Sequence, residues 1–143
     1  MSAMPELLEK AKTIAAEYSL DPVLICAIIE QESSWRPWAV RFEPAFHTRY
    51  VVPLSLTPTE AHARSFSYGL MQVMGQVARE QGCKFEFLTE LCKPEESIRQ
   101  GCIKLKKCFD RANGDVTQAL LCYNGGGSKN YPIQVLARMK NYA

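Results

Sequence analysis

Asp21-Pro22-Val23-Leu24-Ile25-Cys26-Ala27-Ile28-Ile29-Glu30-Gln31-Glu32-Ser33-Ser34-Trp35 is the stretch that decides the fold. Asp21 supplies a capping oxygen, and Pro22 is preset for a first helical turn. The apolar run that follows has no polar face, so it predicts a buried central helix rather than one lying on a surface. It falls well short of the ~20 residues that cross a bilayer. At 100° per residue Glu32 continues the stripe of Ile25, Ile28 and Ile29, whereas Glu30 points roughly 160° away. A carboxyl at the end of an apolar stripe loses hydration. Its pKa then rises, as a general acid near neutral pH requires. The plain alternative is a solvated glutamate at a fraying helix end.

Helical signals continue on both sides. Leu7, Leu8, Ala11, Ile14, Ala15 and Tyr18 share one face of a helix that Pro5 can open. Thr57-Pro58-Thr59-Glu60 reads as a capping box. Leu70, Met74, Val77 and Ala78 have helical spacing up to Gly82. Ile98, Cys102, Leu105 and Phe109 mark a helix stopped by Asn113-Gly114. Asp115 caps the next, with Val116, Ala119, Leu120 and Tyr123. Asn124 and the glycines after it break that helix, and a last one starts near Tyr131. Between Trp35 and Leu56 prolines and aromatics replace periodicity. The expected fold is mainly α, with a loop or small hairpin at about 35–56.

The chain has 143 residues, 47% hydrophobic and 22% charged, which suits one soluble domain over 1–143. A net charge of +2 and no basic stripe with interleaved aromatics argue against nucleic acid; Lys104, Lys106 and Lys107 read as a solvated helix face. No export signal or membrane span is visible, so a monomer made in the cytoplasm, without stable membrane association, is expected. Of the six cysteines none forms a CxxC pair, and only two histidines accompany them. No metal site and no cofactor are expected. Free, mostly buried thiols are favoured over one disulfide formed after release.

Glu32-Ser33, then Gly69-Leu70-Met71-Gln72-Val73-Met74, then Ser97-Ile98-Arg99-Gln100-Gly101 with Leu105, then Ala119 to Gly126 form an ordered set. It resembles the soluble lytic transglycosylase (SLT) family, which carries an E-S dipeptide, a G-L-M-Q-x-M block, an N-I-x-x-G-x-x-Y-L segment and an A-Y-N-G-like block. The resemblance covers about residues 20–136. It implies a lysozyme-like helical domain, of the goose-type and SLT kind. The implied activity is cell-wall degradation, with the peptidoglycan glycan strand as partner. Glu32 matches the catalytic glutamate, which would protonate the oxygen between N-acetylmuramic acid and N-acetylglucosamine. It would then deprotonate the muramic C6 hydroxyl, giving a 1,6-anhydro product. Gln72 and Met74 match positions lining the glycan cleft, although Met74 also fits a core stripe. Tyr123 matches the tyrosine whose hydroxyl approaches the catalytic carboxyl or its substrate. Asn124 and the glycines would turn the chain beside the sugar.

The chain departs from the family in the 35 residues between the E-S and G-L-M-Q blocks. The family serine expected there has only Ser65 and Ser67 as candidates. The aromatics of this insert suit either sugar-stacking platforms or a small satellite core, and the core is preferred for most of them. Arg41 and Glu43 share a face on an extended segment. Glu43 then reads as Arg41's partner, a substrate ligand or a second catalytic acid; Glu60 is a weaker candidate. A second acid would make the protein a hydrolytic goose-type muramidase, endolysin or chitinase. A non-catalytic glycan-binding module is the remaining class. A lone wall-lytic domain without a signal fits phage lysis or a secretion apparatus, reaching the wall or periplasm through a pore or secretion-dependent release.

Overall fold

The computed structural model describes residues 4–143. Helix α1 spans Pro5–Glu17 and α2 Pro22–Ser33. Asp21 caps α2 by accepting from the Val23 N–H at 2.9 Å. Leu24 to Ile29 are all buried, so α2 is the central helix that its composition requires. Each fully buried isoleucine in it contributes about 1.5–3 kcal/mol. Helix α1 packs on α2 and on the long α6, Pro94–Arg111, while α7, Val116–Tyr123, lies against α6, and α8, Tyr131–Arg138, against α2.

The expected helix from Leu70 is corrected. Residues 66–74 form two antiparallel strands, β2 Phe66–Tyr68 and β3 Val73–Met74, and α5 begins only at Gly75 and ends at Glu80. Periodicity misleads here because the backbone reverses: Gly69 has φ +76° and Gln72 φ +50°, conformations no helix tolerates. A Cβ at Gly69 would lie 2.5 Å from the Leu91 carbonyl oxygen, so the turn also needs glycine for space.

Of the loop or hairpin expected at about 35–56, the 40–42 segment is a strand whose partner lies at the end of the insert. Strand β1, Val40–Phe42, pairs antiparallel with β2, Arg41 opposite Ser67, and gives a three-stranded sheet in the order β1-β2-β3. The residues after β1 are helical: α3 at Pro44–Phe46, a π-turn at His47–Val51 and a 3₁₀ turn at Val52–Leu54. Phe42 packs with His47, His62 and Phe66 in a satellite core, and Trp35 joins the main core. Trp38 and Tyr50 remain exposed.

Helix α4, Pro58–Arg64, starts after Thr57, but Thr57 makes no capping bond. Glu60 pairs instead with Arg64 and Arg79, at 2.6 and 2.9 Å. Two arginines outcompete a backbone N–H for its carboxylate.

The cysteine expectation is corrected in part. Cys108 and Cys122 form a disulfide, Cα–Cα 5.6 Å, because the turn at 112–115 folds α7 back alongside α6. Cys26, Cys92 and Cys102 are buried free thiols, and Cys83 is half-buried. Among the described residues no helix is long and apolar enough to cross a membrane.

Candidate active site

The C-terminal end of α2, the sheet, α6 and α7 surround a cleft of about 510 Å³. Glu32, Arg41, Glu43, Phe46, Ser67, Gln72, Met74, Lys104, Tyr123 and Asn124 all reach it. The ordered motifs, spread from Glu32 to Gly126 in the chain, therefore converge on one place.

Their convergence has a visible mechanism, centred on the turn at 69–72. Ser33 donates its hydroxyl to the Leu70 carbonyl at 2.9 Å, which ties the turn to the end of α2. The Met71 N–H donates to Ser97 Oγ on α6 at 3.0 Å, and the Tyr123 hydroxyl donates to the Met71 carbonyl at 2.8 Å. One residue from each of three motifs thus satisfies the backbone of the fourth. A buried turn without these partners would leave costly unpaired groups.

Glu32 projects from the last turn of α2. The Tyr131 hydroxyl, at the start of α8, donates to Glu32 Oε2 at 2.7 Å. Burial is the largest influence on the Glu32 pKa and raises it. The Tyr131 hydrogen bond opposes that rise, as do the Lys104 and Arg41 charges, while the Glu43 charge adds to it. The net result is a carboxyl above the ordinary glutamate range. Glu30 shows the contrast. It is 8% exposed, yet Tyr142 (2.6 Å), Asn141 (3.3 Å) and Arg138 all donate to it. Burial pushes its pKa up, but these hydrogen bonds and the Arg138 charge outweigh it and lower the pKa. Glu30 is a clamp on the C-terminal segment; Glu32 faces the cleft with one donor.

Tyr123 lines the cleft with its ring, but its hydroxyl is committed to Met71 and does not meet the Glu32 carboxyl. Tyr131 makes that contact instead. Gln72 borders the cleft while its amide is engaged internally. Its nitrogen donates to the Ala39 and Gly69 carbonyls at 3.0 and 2.9 Å, and its oxygen accepts from Ser67 at 2.9 Å. Gln72 therefore fastens the residue before β1 to the 69–72 turn, and Met74 also lines the cleft. Ser67 is in the cleft wall; Ser65 is not, being buried and bonded to Ala61 O and His47. Asn124 ends α7 with its side-chain nitrogen buried and unpartnered among the described residues. Gly125 and Gly126 have φ +76° and open space around them, so conformation rather than crowding selects glycine. Arg41 and Glu43 share the face expected of them and pair at 3.3 Å. Among the described residues no group of three or more His, Cys, Asp or Glu side chains gathers closely enough to hold a metal ion.

Lys104 corrects the expectation of a solvated face. Lys106 and Lys107 are exposed, but Lys104 turns inward. Its ammonium donates to the Tyr123 carbonyl at 2.8 Å and lies 4.1 Å from the centre of the Tyr123 ring. Burial pushes its pKa down to about 8, with the Glu32 charge acting the other way.

The transglycosylase SLT domain family profile matches residues 9–135. The chain belongs to this family. No solved structure matches the chain. Membership accounts for the lysozyme-like, mainly α architecture and brings with it the family's general activity, that of a peptidoglycan-cleaving enzyme of the lytic transglycosylase kind. Against the family pattern Lys104 stands out. Lys104 itself stands where the N-I-x-x-G-x-x-Y-L segment has its tyrosine, and Leu105 matches the leucine after it. That departure was the available sequence signal for Lys104. For Tyr131 the sequence offered only its place at the start of a helix.

Proposed function

We propose that the protein is a lytic transglycosylase in which Glu32 alone serves as acid and then as base on the glycan strand. The observation that carries this reading is a carboxyl with raised pKa, hydrogen-bonded by Tyr131, lining a cleft of about 510 Å³. Protonated Glu32 gives its proton to the glycosidic oxygen between N-acetylmuramic acid and N-acetylglucosamine, and the bond from that oxygen to the anomeric carbon breaks. The new carboxylate is held by the Tyr131 hydroxyl and by the nearby Lys104 and Arg41 charges. It then takes the proton of the muramic C6 hydroxyl as that oxygen bonds to the anomeric carbon, closing the 1,6-anhydro ring. Glu32 ends protonated, and no water is consumed.

A hydrolytic reading needs a second carboxylate to position water. Glu43 is available on the cleft wall, but its pairing with Arg41 favours a positioning role. For the site of action, the Cys108–Cys122 disulfide suits an oxidising compartment better than the cytoplasm. That supports action at the wall after pore- or secretion-dependent release, as in phage lysis or a secretion apparatus. The deciding experiment is mass analysis of purified peptidoglycan digested by wild type and Glu32→Gln. Products lighter than the hydrolytic ones by one water, lost in Glu32→Gln with a fall of about 10²–10⁴ in rate, are expected. Hydrated products, or an active Glu32→Gln enzyme, would overturn the mechanism.

A further inference from the structure

The insert carries aromatic surface that the central chemistry does not use. Phe42 is consumed by the satellite core and Trp35 by the main core. Trp38 borders a separate depression formed by residues 35–40. Phe46 and Tyr50 differ. Phe46 is part of the cleft wall, and Tyr50 stands four residues on, across the α3–π-turn junction, its ring centroid 5.1 Å from that of Phe46. Tyr50 is 52% exposed. The Arg49 guanidinium lies 5.2 Å from the centre of the Tyr50 ring, so the ring is ordered from one side without being covered. An apolar ledge therefore leads out of the cleft from Phe46.

We propose that Phe46 and Tyr50 form an outer subsite that holds a further N-acetylhexosamine ring of the glycan strand, stacked by its C–H face on the tyrosine. The inference rests on the glycan-cleaving reading above and specifies where the polymer leaves the cleft. Pyranose rings present apolar C–H faces, and a rigid aromatic side chain offers contact area at little conformational cost. The occupant is a sugar rather than a second protein because the ledge is continuous with the cleft through Phe46.

The test uses the full chain carrying Glu32→Gln, which removes turnover, and N-acetylglucosamine di-, tetra- and hexasaccharides as probes, with titration calorimetry as readout. Affinity should rise as the oligomer lengthens enough to reach the ledge. Adding Tyr50→Ala should cut that rise by about five- to tenfold, the loss of one stacked ring, whereas adding Tyr50→Phe should keep it. No rise with length, a rise that survives Tyr50→Ala, or one lost equally in Tyr50→Phe would overturn the subsite. Sedimentation of the Tyr50→Ala protein closes the alternative. If this change turns a dimer into a monomer, the ledge is a contact between copies and the proposal fails. An unchanged melting temperature shows that the exposed site was altered without loss of fold. If anhydro products are absent but the length dependence behaves as expected, the mechanism above falls and the subsite stands.

Discussion

Replacing Tyr131 by phenylalanine removes one oxygen and leaves the rest of the ring in its buried place, where Tyr131 is 4% exposed. The lost interaction is the 2.7 Å hydrogen bond to Glu32 Oε2. A hydrogen bond to a charged partner contributes about 1.5–3 kcal/mol. Part of it is also made to the neutral acid, so only the strengthening that accompanies ionisation acts on the first transition state. About half of the middle of that range, roughly 1.1 kcal/mol, corresponds to about a sixfold lower kcat. The pH profile moves in the opposite sense. The bond holds the Glu32 pKa down, so its loss raises that pKa. Because the first step needs protonated Glu32, activity falls as pH rises through that pKa, and the alkaline limb of kcat/KM should shift to higher pH. Steady-state rates on soluble glycan strands across a pH series, with melting curves as control, read both effects. A variant with unchanged kcat and an unmoved alkaline limb would refute the role assigned to Tyr131. So would a slow variant whose limb moves to lower pH.

Lys104→Met removes a cation that lowers the Glu32 pKa, so the alkaline limb of kcat/KM should again move to higher pH, and Lys104→Arg should hold it near wild type; an unmoved limb in Lys104→Met would reduce Lys104 to packing. Reduction of the Cys108–Cys122 bridge, or Cys108→Ser, reopens a loop with a sequence separation of 14. It should cost about 3 kcal/mol and lower Tm by roughly 6–12 °C, read by calorimetry with and without dithiothreitol. Arg138→Leu takes the cationic donor from buried Glu30; because Arg138 is itself 40% exposed, the expected loss is about 1–3 kcal/mol rather than that of a fully buried pair. Glu30 has a lowered pKa in the folded state, so its contribution is present above the ordinary glutamate pKa and is lost as pH falls through the folded value. Urea midpoints for wild type and Arg138→Leu should therefore converge in acid.

The position of Glu32 on the cleft, apart from Glu30, was legible because two local facts coincide: the helical phase that separates the two, and the unbroken apolar run before them. The start of α2 after Asp21 and the stop of α6 at Asn113-Gly114 were legible for the same reason, being set by neighbours in the chain. The 69–72 turn was misread. Helical spacing at Leu70, Met74 and Val77 is also compatible with a reversal, and only the positive φ values distinguish the two. Glu60 was misread because its arginine partner on α5, Arg79, is 19 residues away, and long-range charges override a local cap. Lys104 was misread because helix position alone does not say whether a face meets solvent or another helix.

By itself the sequence determined a mainly α chain around one buried helix, a carboxyl at its end, and the family to which the ordered motifs point. These depend on interactions within one or two helical turns, or on residue identities held in order. Tertiary structure decided the chemistry of the site. It committed the Tyr123 hydroxyl to Met71, brought Tyr131 and Lys104 to Glu32, occupied the Gln72 amide, and paired Cys108 with Cys122. The physical reason is that desolvation, hydrogen-bond partnership and charge proximity are properties of the packed surroundings. Residues from separate helices supply them, and no local pattern encodes which of those residues meet.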